Sequence, residues 1–229
     1  SSKPSNFINF MKTICVIPAY NDAKYIAETV RNALRVVDEI IVVDDGSTDG
    51  TAAIAEAAGA LVATLTVNRG QGSALRLGTQ LALARGAEII IHFDADGQFQ
   101  ASDLPKFIQA LESGRADMVL GSRFLDNTTA MPWSKRYILM PLARFFNRLL
   151  GIDLSDPQSG LRALSRKAAS SLDWQQDRMA HCTEILHLAH RQHFKIIEVP
   201  ITVIYHHYGQ SLSGGIKIIS DTLFAKLNK

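Results

Sequence analysis

At 229 residues, with 24 basic against 22 acidic side chains, a formal net charge of +2 and 47% hydrophobic residues, the chain has the composition of one folded domain with a sizeable core. That composition excludes an intrinsically disordered chain, and the small charge, with no recognisable module, argues against nucleic-acid binding. Cys15 and Cys182 form no CxxC pair, so neither a disulfide framework nor a zinc site is indicated and a reducing cytoplasm is expected. There is no signal peptide and no apolar run near the ~20 residues of a membrane span. Residues 1–10 precede Met11 without a clear period and read as a leader or an appended segment.

From Lys12 onward, short apolar runs alternate with amphipathic windows, the pattern of βαβ units and a mostly parallel sheet. In chain order it predicts strands over 13–17, 39–43, 61–66, 87–93 and 117–120, alternating with helices over 24–36, 51–58, 73–84 and 104–113. Strand character lapses from Asp126 to Ser159, where a basic, aromatic helix is expected. It returns as a strand over 160–164, a helix over 183–191 and a strand over 196–204. No internal repeat and no Pro-, Gly- or Ser-rich linker divides the chain. One α/β domain is therefore expected over 11–214, followed by a basic amphipathic helix over 215–229.

The run Glu88 to Gln98 carries the most chemistry, because an apolar strand ends in Asp94 and Asp96. Period-2 geometry sends both to one face, where two carboxylates can hold Mg²⁺ or Mn²⁺ and leave positions open for diphosphate oxygens. A turn with Gly97 is the plainer alternative. A second β-branched run ends in Asp44-Asp45-Gly46-Ser47-Thr48-Asp49. Ligands of open α/β sheets bind beyond the carboxyl ends of strands, so two acidic ends on one edge suit a nucleotide site. Asp45 is the expected hydroxyl acceptor for a ribose or base. Ser47 or Thr48 can cap the next helix, with Thr48 and Asp49 as turn residues. The loop Asn68 to Arg76 lacks Gly-Lys-Ser and is no Walker loop. It is either a tight βα turn or an anion site at a helix N-terminus, with Arg69 and Arg76 as ligand-facing candidates.

These residues carry a resemblance. Cys15 to Asp22, Val42 to Asp49, Phe93 to Gln98 and Asp117 to Phe124 together resemble family 2 glycosyltransferases of GT-A fold, a Rossmann-like, mostly parallel sheet flanked by helices. Gly121-Ser122-Arg123 and Asp156 to Ala163 look most like the polyprenyl-phosphate sugar transferases, the dolichyl-phosphate mannose synthase-like branch. The resemblance implies that Pro18, Tyr20, Asp22, Val43 and Asp45, with Asp94 and Ala95, frame the nucleotide. Asp94, Asp96 and Gln98 would hold the metal and diphosphate, and Arg123 would meet phosphate, which a guanidinium matches better than an ammonium. Asp22 stands where that branch often has Glu, and Leu212 follows Ser211 where a Lys is common. Glu198 to Ile201 matches as a structural strand.

The implied reaction is a direct, inverting displacement, with a metal offsetting charge on the leaving nucleoside diphosphate. A lipid phosphate acceptor is already ionised and needs no strong base. A saccharide hydroxyl, as in polysaccharide or O-antigen assembly, would require a carboxylate such as Asp156 or Glu184; Asp156 reads equally as an Asp-Pro turn. Histidines 181, 187, 190 and 193 lack the tight spacing of a zinc helix and read as a solvated face, and His206 and His207 read as loop residues. Residues 131–150 carry four basic and no acidic side chains, with Ile138, Leu142, Phe145 and Leu149 on one helical face. Such a helix either covers the sheet or rests on a lipid surface, and 215–229 raises the same choice. The expected partners are a nucleoside diphosphate sugar, polyprenyl phosphate and the inner membrane face, where the protein would be cytoplasmic and peripheral; a separate membrane-anchor protein fits beside them. A nucleotidyltransferase would need a Gly-rich Arg-Leu loop after the first strand, and a non-catalytic nucleotide-sugar module has no use for Asp94 and Asp96 together.

Overall fold

The computed structural model describes residues 11–125 and 154–204. The strands are β1 (Thr13–Ala19), β2 (Glu39–Asp44), β3 (Leu61–Thr64), β4 (Ile89–His92), β5 (Met118–Ser122), β6 (Arg162–Ser165) and β7 (Ile196–Pro200). The helices are α1 (Ile26–Ala33), α2 (Thr51–Ala57), α3 (Gln71–Ala84), α4 (Leu104–Glu112), α5 (Arg166–Ser171) and α6 (His181–Arg191). The sheet runs β3-β2-β1-β4-β6-β5-β7, parallel except at β6, which is antiparallel to both neighbours. Every strand of the expected pattern forms, but the last ends at Pro200 rather than 204, and α1 is shorter than 24–36 at both ends.

Alternation along the strands sorts the core into two layers. Cys15, Ile17, Val42 and Ile91 pack with Ile26 and Val30 of α1, Ala55 of α2 and Phe107 of α4. Ile14, Val16, Ile41, Val43 and Ile90 pack on the other face with Leu75 of α3, Ala168 of α5 and Ile185 and Leu186 of α6. Helix α5 was not expected, although Ser165 announces it by accepting the amide of Ala168 at 3.2 Å. Six residues are too few for a helical period to show. The predicted segments 1–10, 131–150, 205–211 and 215–229 lie outside the described residues.

Helix α3 crosses β1 and β2 at Gly78, where a Cβ would stand 2.2 Å from Val16 Cγ1 and 3.1 Å from Val43 Cγ2. Overpacking a core costs about 1–3 kcal/mol, which outweighs the ~1 kcal/mol helix-propensity gain of Ala over Gly. Gly78→Ala should therefore lower stability in urea denaturation. An unchanged or raised midpoint would show that α3 does not need this close approach.

Candidate active site

Because β1, β2 and β4 are parallel neighbours, their carboxyl ends open on one edge. Asp22 follows β1, Asp44 and Asp45 end and follow β2, and Asp94 and Asp96 follow β4. Burial raises the Asp22 carboxyl above its usual range; the Tyr20 amide opposes this, and the charges of Asp96, Asp49 and Asp44 add to it. The Asp22 carboxyl thus feels three other carboxylates across this edge.

Side chains hold the edge loops. Asn21 and Asp22 donate their amides to Ser47 Oγ and Thr51 Oγ1, both at 2.9 Å, and Ala23 donates to Asp49 Oδ2 at 3.1 Å. Thr48 donates its amide to Asn21 Oδ1 at 2.9 Å. Asp49 and Thr48 are turn residues, as their types suggest. Neither Ser47 nor Thr48 caps α2: Gly50 occupies the cap, and Ser47 turns back to donate to Asp44. Gly46, at φ +80°, lies so close to the backbone of residues 67–68 that a Cβ would be 3.1 Å from the Asn68 nitrogen.

Asp45 is buried, and its two carboxylate oxygens accept the amides of Arg69 at 2.8 Å and Gly70 at 2.7 Å. These bonds set where α3 begins. Asp177 closes the same turn from the other side, its carbonyl accepting from Gly72 at 2.8 Å and its carboxylate from Arg76 at 2.9 Å. Arg69 lies 4.0 Å from the same carboxylate. The glycine loop is accordingly a packed βα turn, and Arg76 is a structural partner of Asp177.

Gln71, the first residue of α3, donates its amide to Asp94 Oδ1 at 2.7 Å. Burial, then the neighbouring charges of Asp96 and Cys182, push the Asp94 carboxyl up to about 7, against opposing contributions from Arg162 and His181. Asp96 Oδ1 accepts the amide of Gln98 at 2.9 Å. Pro18 and Val43 are buried cross-strand partners, and the Val43 side chain belongs to the core. Ala95 is buried, its carbonyl accepting from Thr29 Oγ1 at 3.2 Å, and Tyr20 is half exposed at the rim.

Behind Asp94 lies a buried polar group that sequence reading did not single out. Arg162 is 1% exposed, paired across strands with His92, and donates through Nη2 to Ser159 O at 3.1 Å and to Cys182 Sγ at 3.0 Å. Burial alone would raise the Cys182 thiol, but Arg162 and His181 outweigh it and bring the group to about 6. His92 is held well below the usual imidazole range by burial, then by the charges of Arg162 and His181. His181 is itself buried, which corrects its place on a solvated face; His187, His190 and His193 are exposed as expected.

Arg123 and Asp156, expected to serve a phosphate and a proton, face each other. Arg123 Nε and Nη2 donate to the two Asp156 oxygens at 2.6 and 2.7 Å, a bidentate pair. Glu198 accepts the amides of Ser155 and Asp156, each at 2.8 Å, so this strand residue also holds the turn. Glu184 Oε2 accepts the amides of Gln175 at 2.9 Å and Gln176 at 2.8 Å, which fastens the loop that covers α3.

Among the described residues, no three His, Cys, Asp or Glu side chains are grouped to hold a metal by themselves. Asp94 and Asp96 nevertheless fit part of a divalent shell. They are hard oxygen donors whose mutual repulsion a cation would relieve, with the rest of the shell left to donor oxygens.

Comparison with known proteins places this geometry. The Glycosyl transferase family 2 profile matches residues 14–173. The UDP-N-acetylglucosamine–dolichyl-phosphate N-acetylglucosaminyltransferase of Methanococcus voltae is 33% identical, covering 93% of this chain and 96% of its own. The polyprenol monophosphomannose synthase of Mycolicibacterium smegmatis is 32% identical over 90% of this chain and 83% of its own. Glucosyl-3-phosphoglycerate synthase of Mycobacterium tuberculosis, solved with Mn²⁺, UDP and glucosyl-3-phosphoglycerate, has the same fold, with TM-score 0.74, 22% identity and coverage of 95% of this chain and 79% of that one.

A raised carboxyl stabilises the fold most below its unfolded value of ~3.9 and loses that contribution as pH rises through its folded value. For Asp94 the loss runs from about its unfolded value of ~3.9 and is complete by about pH 7. A divalent cation selects the ionised form, so its stabilising effect should grow through the same window. Melting curves with and without Mn²⁺ at pH values spanning about 7 check this; a metal-induced shift independent of pH would remove Asp94 from the cation's partners.

Proposed function

Since the chain belongs to glycosyl transferase family 2 and is a glycosyltransferase, we propose that it moves a sugar from a nucleoside diphosphate to polyprenyl phosphate, inverting the sugar carbon. The observation that carries the choice of acceptor is the engagement of Asp156 and Glu184. Asp156 has both oxygens on Arg123, and Glu184 has Oε2 on two backbone amides. Removing a proton from a sugar hydroxyl asks for a carboxylate aimed at the reacting oxygen, whereas a lipid phosphate arrives ionised. The names of the archaeal and mycobacterial relatives point to the same acceptor class.

In this reading, Pro18, Tyr20, Asp22, Asp45 and Ala95 border the nucleotide, and Val43 supports it from the core. Asp94, Asp96 and Gln98 would hold Mg²⁺ or Mn²⁺, which when bound would supply positive charge to the departing diphosphate. The fixed loops at 20–23 and 47–51 hold the nucleotide end still. Arg123, turned by Asp156, presents its charge to the acceptor phosphate. Polyprenyl phosphate lies in a membrane, and the basic side chains of 131–150 and 215–229 suit an anionic surface at the cytoplasmic face.

A panel of UDP- and GDP-sugars with Mn²⁺ or Mg²⁺ and a short polyprenyl phosphate should yield a glycosyl-phospholipid detectable by mass. Glu184→Gln should keep turnover on that acceptor within about threefold, because losing a general base costs roughly 10²–10⁴ in rate. A loss of that larger size, or donor hydrolysis without lipid product, would instead favour a saccharide hydroxyl as acceptor.

A further inference from the structure

A carboxylate on Cβ rotates easily, because the terminal torsion of Asp is broad rather than three-fold. Asp94 does not have that freedom. On one side Gln71 Nε2 donates to Oδ1 at 2.7 Å, from a residue whose place is set by the Asp45 bonds to the two preceding amides. On the other side stands Gly160, where a Cβ would lie 2.2 Å from Asp94 Oδ2, 3.0 Å from its Cγ and 3.1 Å from Oδ1.

The Gly160 wall is firm. Asp156 O accepts the Ser159 amide at 3.2 Å, Arg162 donates to Ser159 O at 3.1 Å, and Gly121 donates its amide to Leu161 O at 2.9 Å. The backbone of Gly160 lies outside the left-handed region, so its own conformation does not demand glycine. What excludes a side chain there is the carboxylate of Asp94.

We propose that Gln71 and Gly160 are positioning residues for the cation: a hydrogen bond from one and the close face of the other fix the orientation of the Asp94 carboxylate. The inference rests on the reading of Asp94 and Asp96 as cation-holding residues. Orientation set in advance is ordering that binding no longer has to impose, and supporting residues of this kind commonly change metal affinity tenfold or more.

The experiment is Mn²⁺ binding to the full chain with UDP or GDP present, followed by the paramagnetic signal of free Mn²⁺, with melting temperature measured alongside. Gln71→Met, of similar length but without a donor, should weaken Mn²⁺ about tenfold with little change in melting temperature. Gly160→Ala should weaken it at least as much, and also lower the melting temperature. In an Asp94→Ala background, Gly160→Ala should cost neither, since the atoms it strikes are gone. Wild-type affinity in Gln71→Met and Gly160→Ala would overturn the proposal, as would a Gly160→Ala penalty that persists without Asp94. Asp96→Ala separates the two ideas: unchanged Mn²⁺ binding there overturns the cation reading itself, whereas its loss together with unaffected Gln71 and Gly160 variants overturns only the positioning role.

Discussion

Much of this molecule depends on one carboxylate. Asp45 leaves the end of β2 and receives two consecutive backbone amides, which fixes where the chain stops being loop and becomes α3. Charge-assisted bonds of this kind are roughly twice as strong as neutral ones, and both carboxylate oxygens are used. From that start point the helix runs in one register only: Gln71 reaches Asp94, Gly72 meets the loop at 176–177, and Gly78 drops onto Val16 and Val43. A helix begun one residue later would rotate by about 100° and turn all three away from their partners. The acidic strand ends are thus joined to the packing of the sheet face.

A second constraint comes from β6. Its antiparallel course between β4 and β5 sets Arg162 opposite His92, the last residue of the strand that delivers Asp94. An isolated cation in the interior would be costly. Here the guanidinium has a thiol and a carbonyl as acceptors and acidic neighbours at the strand ends, so a buried positive charge underlies a negative edge. The charge of Arg162 lowers the Asp94 carboxyl against the burial and the Asp96 charge that raise it.

Strand runs rich in Ile and Val, the acidic motifs that close them and the alternation of strand and helix were all legible, because each is a local pattern with a known period. Element ends were less so: β7 stops at Pro200, where the apolar run continues but the pairing with β5 does not. What escaped reading depends on contacts between distant residues. Arg162 looks like an ordinary polar residue at a strand start, and only the pairing of β6 between two strands hides it. His181 shares a helix with two exposed histidines, His187 and His190, and its burial follows from the first turn of α6 packing against Gly72. Arg123 and Asp156, 33 positions apart, show nothing in sequence of their bidentate pairing. Asp45 was legible as an important acceptor, but its acceptance of backbone amides was not.

The bonds around Arg123 and Asp156 have a topological consequence. Ser122 and Ser155 hydroxyls meet at 2.5 Å, and the ion pair lies one residue further on along each strand of chain, so the polypeptide leaves the sheet and re-enters it through a closed collar. Glu198 of β7 buttresses the returning side. The collar itself ties the ends of β5 and the approach to β6 together. Such a collar is a natural graft point for design, because the bonds that close it lie among residues 122–123, 155–156 and 198 and draw on no other part of the chain.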